Sequence, residues 1–452
     1  MRTDCNSKTI QFTSLGRQNV VAGFDGGRIT SDAGVLLLRE IARKMKLFER
    51  LAGCLPDPRD PAMIEHDQST MFAQRIMGIA CGWEDLNDHD SLRVDPLMQV
   101  ATERRVDVDR PLASASTLCR LENRADNKTN AAIGRLMVEL FIESFDKPPT
   151  ELILDFDATD DPIHGKQEGA FFHGYYKNYC YLPLYVFCGE RLVASYLRPS
   201  NMDASKNSRA LLKLLVKRLR QTWPEVKIIF RGDGGFCRWK LLRWCDRNKV
   251  DYVVGLAGNP RLEHEAAQYM LAAQKECTIH QTKARIFGTF QYAAKTWDRQ
   301  RRVIVKAEHT EKGANPRYIL TSLPEEKSLH GTSREIYDDI YCARGEMENR
   351  IKEQQLGLFA DRTSCRKFDA NQFRLHLSSL AYILIETLRR TALVGTELAK
   401  AQVTTIRNKL LKIGAIVITS VRRIVLQLSS AYPLQELFMQ VAGKLLCRPQ
   451  VE

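Results

Sequence analysis

The sequence predicts an α/β chain whose core is a mixed sheet with carboxylates at strand ends, set between helical N- and C-terminal regions. Three observations predict it. Apolar, β-branched runs interleave with helical stretches from residue 149 to 274; aspartates close two of those runs, in "TELILDFDATDDP" and "IIFRGDGGF"; and leucines recur at helical spacing on either side. The length, 452 residues, allows several domains. Hydrophobic and charged fractions of 44% and 27% are those of ordinary globular protein. The formal charge of +13 favours polyanionic partners, nucleic acid first and an anionic membrane surface second. No run of about 18 apolar residues supports a membrane span, and "MRTDCNSKTIQF" lacks the apolar region of a signal peptide. An intracellular protein is the expectation. The 12 cysteines form no CxxC pair, so neither a zinc ribbon nor a redox motif is supported. Cys237 and Cys245 read as helix-face residues, and the isolated His164 and His173 carry no metal reading.

Residues 1–148 read as a mainly helical region whose basic faces suit either DNA contact or a solvated surface. "TSDAGVLLLREIARKMKLFERL" offers Thr30 or Ser31 as an N-cap before helically spaced leucines. After the Pro- and Asp-rich "LPDPRDPAM" come the helices "QSTMFAQRIMGIACGW" and "LASASTLCRLENR", the latter with Arg120 and Arg124 on one face. Residues 149–274 form the first part of the catalytic domain. Along "ELILDFDA", Leu152, Leu154 and Phe156 alternate with Ile153, Asp155 and Asp157, so the two aspartates share a face. The β runs "GAFFHGYYKNYCYLPLYVFCG" and "RLVASYLRP" follow, joined by a Gly-Glu turn, then the helix "SKNSRALLKLLVKRLRQTW", the strand of "IIFRGDGGF", the helix "CRWKLLRWCDRN" and the strand "VDYVVGL". Three strands, helix, strand, helix, strand is the order of ribonuclease-H-like domains. Residues 275–323, with short β runs and Arg299, Arg301 and Arg302, read as a β-rich insertion. Residues 324–388 complete the catalytic domain through the helix "SREIYDDIYCARGEMENRIKEQQLGLF". Residues 389–452 form a basic helical C-terminal region, including "TIRNKLLKIGAIVITSVRRIVLQL". Its cations suit either phosphate contact or the basic side of packed helices. Trp239 and Trp244 suit either base stacking or a core.

At about 100° per residue, Tyr341, Arg344, Glu348, Lys352 and Gln355 fall on one helical stripe and Glu346 on the opposite side. Glu348 and Lys352 also fit a simple i,i+4 ion pair. Asp157 and Asp233 end strands, and Glu348 sits on a helix that can cross the sheet. Three such carboxylates suit two divalent cations, one activating the attacking oxygen and one stabilising the leaving oxygen of a phosphoryl displacement. Mg²⁺ suits few carboxylates together with water and phosphate oxygens.

These motifs together resemble the DDE transposases of bacterial insertion sequences, the group with a Tyr, two residues, Arg, three residues, Glu, six residues, Lys signature. Tyr341, Arg344 and Glu348 match in identity and spacing; the last position is Gln355, which leaves Lys352 as a substitute on the same face. "DFDATDD" resembles the first aspartate motif and "RGDGGF" the second. The resemblance implies metal-ligating catalytic residues Asp157, Asp233 and Glu348, with Asp155 the alternative to Asp157, and DNA contact by Tyr341, Arg344 and Lys352. It implies two Mg²⁺ ions, with Mn²⁺ as substitute, acting on double-stranded DNA at terminal inverted repeats and target. A homodimer in the synaptic complex and a bacterial cytoplasmic, nucleoid-associated location follow from the same resemblance. A transposase-derived DNA-binding protein without catalysis, and a metal-dependent nuclease without strand transfer, are the alternatives.

Overall fold

The structure, a computed structural model, describes residues 9–324 and 331–447. It divides into two compact units. The larger holds Glu122–Glu386 with Cys54–Pro56; the smaller holds Met1–Gly53, Asp57–Leu121 and Thr387–Glu452.

The larger unit opens with α1 (Asn127–Glu143), capped by Asp126, whose carboxylate accepts from Thr129 N–H. Its sheet strands are β1 (Glu151–Ala158), β2 (Leu184–Cys188), β3 (Arg191–Tyr196), β4 (Lys227–Gly232), β5 (Asp251–Leu256), β6 (Ala284–Tyr292), β7 (Arg301–Thr310) and β8 (Arg317–Thr321). Helices α2 (Ser208–Thr222) and α3 (Trp239–Arg247) join them in the expected alternation, and α4 (Pro260–His280), which the sequence reading did not include, connects β5 to β6. The order across the sheet is β6-β7-β8-β5-β4-β1-β2-β3, with the short strand Gly313–Ala314 pairing β7. β1, β4 and β5 are parallel; β2 and β3 on one side and β8, β7 and β6 on the other are antiparallel.

Continuous apolar runs such as "KIIF" fit parallel strands covered on both faces, and two clusters cover them. Leu152, Leu154, Phe156, Ile228 and Phe230 pack with leucines of α2 and α3. On the other face Ile229, Val253, Ile304 and Ile319 pack against Ile336, Tyr337 and Ile340. Asp155 and Asp157 therefore point toward the face crossed by the segment that begins at Ser333. That segment is not one regular helix. Ser333–Glu335 is α, Ile336–Tyr341 is π, Cys342–Arg344 is 3₁₀, α5 spans Gly345–Lys352, and Glu353–Gly357 is π again. The single stripe at uniform helical spacing is thus corrected: the winding changes on both sides of α5.

Further sequence readings are revised here. The strands expected over 275–323 form no sheet of their own but extend the central one, because β8 pairs with β5, and Thr278–His280 belong to α4. The Trp244 ring packs on the core, and Cys245 is buried.

In the smaller unit the stretch expected to be mainly helical begins with a hairpin, Thr9–Leu15 paired to Gln18–Gly23. The first helix starts at Val35 with Gly34 as N-cap and no side-chain cap; Thr30 instead lies in a short strand. Gln68–Cys81 forms as expected, capped by Asp67 and closed by Gly82 at φ 94°. The C-terminal stretch also departs from an all-helical reading. Ala415–Thr419 and Ile424–Leu428 pair as strands, and Ala415 and Ile416 pair with Thr30 and Ile29. Its cations are partly committed to structure: Arg407 donates to Ala80 and Ile79 carbonyls at 2.8 and 3.2 Å, and Lys412 meets Asp32 at 2.7 Å over the Trp83 ring. Among the described residues, no helix is long and apolar enough to cross a membrane.

Candidate active site

The site begins with strand register. Phe156 of β1 lies opposite Gly232 of the parallel β4. Asp157 and Asp233 are the next residue on each strand, so both stand at carboxyl ends of neighbouring parallel strands, where α/β sheets present ligand sites. Adjacent strands are about 4.8 Å apart, and the charge of Asp233 accordingly acts on Asp157.

Glycines shape the turn that carries Asp233. The Phe236 ring folds back into the core against Phe156 and Phe230 at centroid distances of 6.5 and 6.4 Å. A Cβ on Gly232 would sit 3.1 Å from Phe236 Cβ, and one on Gly235 would sit 2.9 Å from Asp233 Oδ1. That oxygen accepts from Gly235 N–H at 2.8 Å, which fixes the carboxylate at the start of a 3₁₀ turn. At the end of β5, a Cβ on Gly255 would meet Tyr341 Oη at 2.6 Å and Gly234 N at 2.7 Å. Tyr341 thus rests on the backbone beside Asp233, in a cavity of about 200 Å³ also lined by Gly234, Tyr318, Tyr337 and Arg317.

Two arginine–carboxylate contacts distinguish the aspartates of β1. Asp155 is 1% exposed and accepts from Arg231 Nη2 at 2.7 Å, while Arg231 Nη1 donates to the Ile340 carbonyl at 2.7 Å. Burial pushes the Asp155 carboxyl up to about 6 against the pull of Arg231. Asp157, with a side chain 13% exposed, accepts from Arg344 Nη1 at 3.0 Å, and Arg344 Nη2 donates to Glu348 Oε1 at 3.2 Å. Burial pushes Asp157 up to about 7; Arg344 draws it down and Asp233 pushes it up again. Burial opposes the charge on Arg344, but Asp157, Tyr341, Asp233 and Glu348 outweigh it and hold its pKa above the ordinary value.

The structure therefore brings Asp157 and Asp233 together and ties Glu348 to Asp157 through a guanidinium. Among the described residues no three Asp, Glu, His or Cys side chains converge on a common metal position. Asp157 and Asp233 suit a hard divalent cation, being oxygen donors at neighbouring strand ends. Glu348 becomes a third donor only if Arg344 turns away. The Glu348–Lys352 ion pair that the spacing also allows does not form: Arg344 holds Glu348, and Lys352 is exposed with no ion pair among the described residues. Gln355 donates to the Asp160 carbonyl at 2.8 Å and so ties the end of the signature segment to the strand end. Glu346 points outward, with Arg350 at 3.9 Å. Sequence reasoning missed Arg231, although an arginine inside an apolar strand signals a buried acid. It also missed Gly255, for which the sequence gives no cue.

No curated protein matches the chain. A solved structure described as a cryo-EM piggyBac transposase synaptic complex with hairpin DNA is similar over 85% of this chain and 80% of that one, at 12% identity and a TM-score of 0.43, a likeness too low to argue from. The family described as transposase DDE domain group 1 matches residues 12–449. On that match the chain belongs to the transposase DDE domain group 1 family.

Proposed function

We propose that the chain is an insertion-sequence transposase that binds terminal inverted repeats, cleaves DNA at the element ends and joins the freed 3′-OH to target DNA. The observation that carries this reading is the pair Asp157 and Asp233 at neighbouring strand ends, with Arg344 between Asp157 and Glu348. The strand and helix order of the larger unit supports a ribonuclease-H-like catalytic domain.

Asp157, Asp233 and Glu348 are the catalytic carboxylates in this reading and would hold two Mg²⁺ ions, or Mn²⁺. Bound there, the ions supply activation of the attacking oxygen and charge stabilisation at the leaving oxygen. The chain's own groups do the rest. A phosphate entering beside Arg344 offers the guanidinium a second, bidentate partner, which releases Asp157 and Glu348 from it. Tyr341 orients the same phosphate from its seat on Gly255. Exposed Lys352 contacts the backbone from α5. The helical stretches of the first 148 residues bind element ends, a homodimer pairs them, and the protein works on nucleoid DNA in a bacterial cytoplasm.

The test is purified chain with labelled element ends, a target plasmid and Mg²⁺. End-to-plasmid joining that EDTA abolishes supports the proposal. Cleavage without joining identifies a nuclease, and binding without cleavage an inactive DNA-binding protein; either outcome overturns it.

A further inference from the structure

Beyond Asp157 the chain makes a ribbon covered in rings. Phe171–His173 pairs with Asn178–Tyr181, which pairs in turn with Asp161–Pro162. Phe171, Phe172, Tyr175 and Tyr179 are 41%, 56%, 83% and 58% exposed. A strand with one buried face alternates ring and polar group; here the consecutive Phe171 and Phe172 are both exposed, so rings stand on both faces. The rings brace one another edge to face: Phe172 and Tyr179 lie 5.6 Å apart between centroids, and Tyr175 and Tyr176 5.0 Å. Lys177 takes φ 55° at the turn, where its N–H donates to the His173 carbonyl at 2.8 Å. A concentrated apolar patch of this kind marks an interaction surface.

Position, charge and ring chemistry identify what it meets. Asn178 Nδ2 donates to Asp160 Oδ2 at 3.4 Å, which ties the ribbon to the end of β1. Tyr176 feels Asp160 and Asp157: after burial, their charges push its phenol up, to about 12. The ribbon therefore starts beside the candidate catalytic carboxylate. Glu168 N–H donates to the Arg366 carbonyl at 2.9 Å and Gln167 Nε2 to the Thr363 carbonyl at 3.2 Å, laying a basic segment along its base. Arg366 and Lys367 there, and Lys177 at the turn, are exposed. Flat rings beside cations hold single-stranded nucleic acid, because every base offers a π-face and every nucleotide a phosphate.

We infer that the ribbon from Phe171 to Tyr179 stacks unpaired bases of the DNA strand flanking the scissile phosphate, with Lys177, Arg366 and Lys367 on its phosphates. The inference rests on the reading of Asp157 as catalytic for which part of the DNA it meets.

The test uses the full chain, a blunt duplex, and the same duplex carrying a short single-stranded extension with 2-aminopurine. Tighter binding of the extended duplex and quenched 2-aminopurine are expected. Phe172→Ala, Tyr175→Ala and Tyr179→Ala should each weaken binding of the extended duplex at least about fivefold and leave the blunt duplex within about twofold, while Tyr175→Phe retains binding. Equal affinity for the two duplexes, an equal loss on both, or a fall in sedimenting mass that reveals a second copy on the rings overturns the inference. Asp157→Ala separates it from the catalytic reading. If that variant still cleaves, the catalytic assignment fails; if cleavage depends on Asp157 but the base is never quenched, the stacking ribbon fails alone.

Discussion

Asp155 and Asp157 stand on the same face of one strand, and each meets an arginine, yet the two pairs are built for opposite purposes. Arg231 gives both terminal nitrogens of its guanidinium to buried partners, Asp155 and the Ile340 carbonyl. That pair is closed, and nothing can replace either member without leaving a charge in the core. Arg344 is shared between Asp157 and a Glu348 whose side chain is 50% exposed, with Asp233 adding charge nearby. That pair is open and exchangeable. The contrast teaches that period-2 geometry selects candidate carboxylates, while the depth of the partner decides which one remains available for chemistry.

The largest expected effect falls on activity at the open pair. Asp157→Ala, Asp233→Ala and Glu348→Ala should each remove cleavage and joining, while binding of element ends, which rests on many phosphate contacts, persists in a gel-shift assay. Survival of cleavage in Asp157→Ala would exchange the roles drawn here. Next comes stability at the closed pair. Arg231→Ala leaves Asp155 buried without its cation and should cost about 3 to 5 kcal/mol, read as a lower urea midpoint. The double change Asp155→Leu with Arg231→Met should restore most of it.

A third effect sharpens the comparison through pH. The Asp157 carboxyl is raised to about 7 in the folded chain, against about 3.9 when unfolded. The folded state therefore binds the proton more tightly, and stability falls as pH rises from about 4 through 7. In EDTA and without DNA, Asp157→Asn should remove that loss, raising stability at pH 8 by up to about 4 kcal/mol. A wild-type melting temperature equal to that of the variant at pH 8 and at pH 4 would falsify the open character of this pair. The smallest effect is that of Lys352→Ala. It should slow strand joining and leave melting unchanged, because Lys352 makes no ion pair among the described residues. A shift in melting with normal joining would return Lys352 to a purely structural role.

Strand-end carboxylates were legible because apolar runs that stop at an aspartate leave a local trace: "DFDATDD" and "RGDGGF" carry both strand and turn in a few residues. The alternation of strands and helices from Glu151 to Leu256 was legible for the same reason. The signature segment was legible in identity but not in winding. Periodicity assumes a constant turn, whereas the segment winds as π at Ile336–Tyr341, which packs on Ile229, Val253 and Ile304, and again at Glu353–Gly357, where Gln355 donates to the Asp160 carbonyl. The tail misled because Ile416, Ile418 and Val425 alternate as strand residues between cations that also fit helical spacing. The roles of Arg231 and Gly255 are tertiary facts, set by Asp155 and Tyr341 far along the chain, whereas Glu348 takes the cation four residues before it instead of the one four residues after it.

The smaller unit is assembled from both ends of the sequence. Ala33 and Gly34 N–H groups donate to the Ile413 and Leu411 carbonyls, each at 3.0 Å, and the Ile29–Thr30 strand pairs with Ala415 and Ile416. On the ribosome those partners arrive in the wrong order. At about 5 to 20 residues per second, the early stretch waits on the order of tens of seconds for the segment from Val403 onward. The larger unit, nearly continuous from Glu122 to Glu386, is by then fully synthesised. Translation that stops between residues 387 and 402 therefore leaves that larger unit whole and the smaller one without its mate, so the timing of synthesis itself separates a chain able to fold its carboxylate pair from one able to complete its other half.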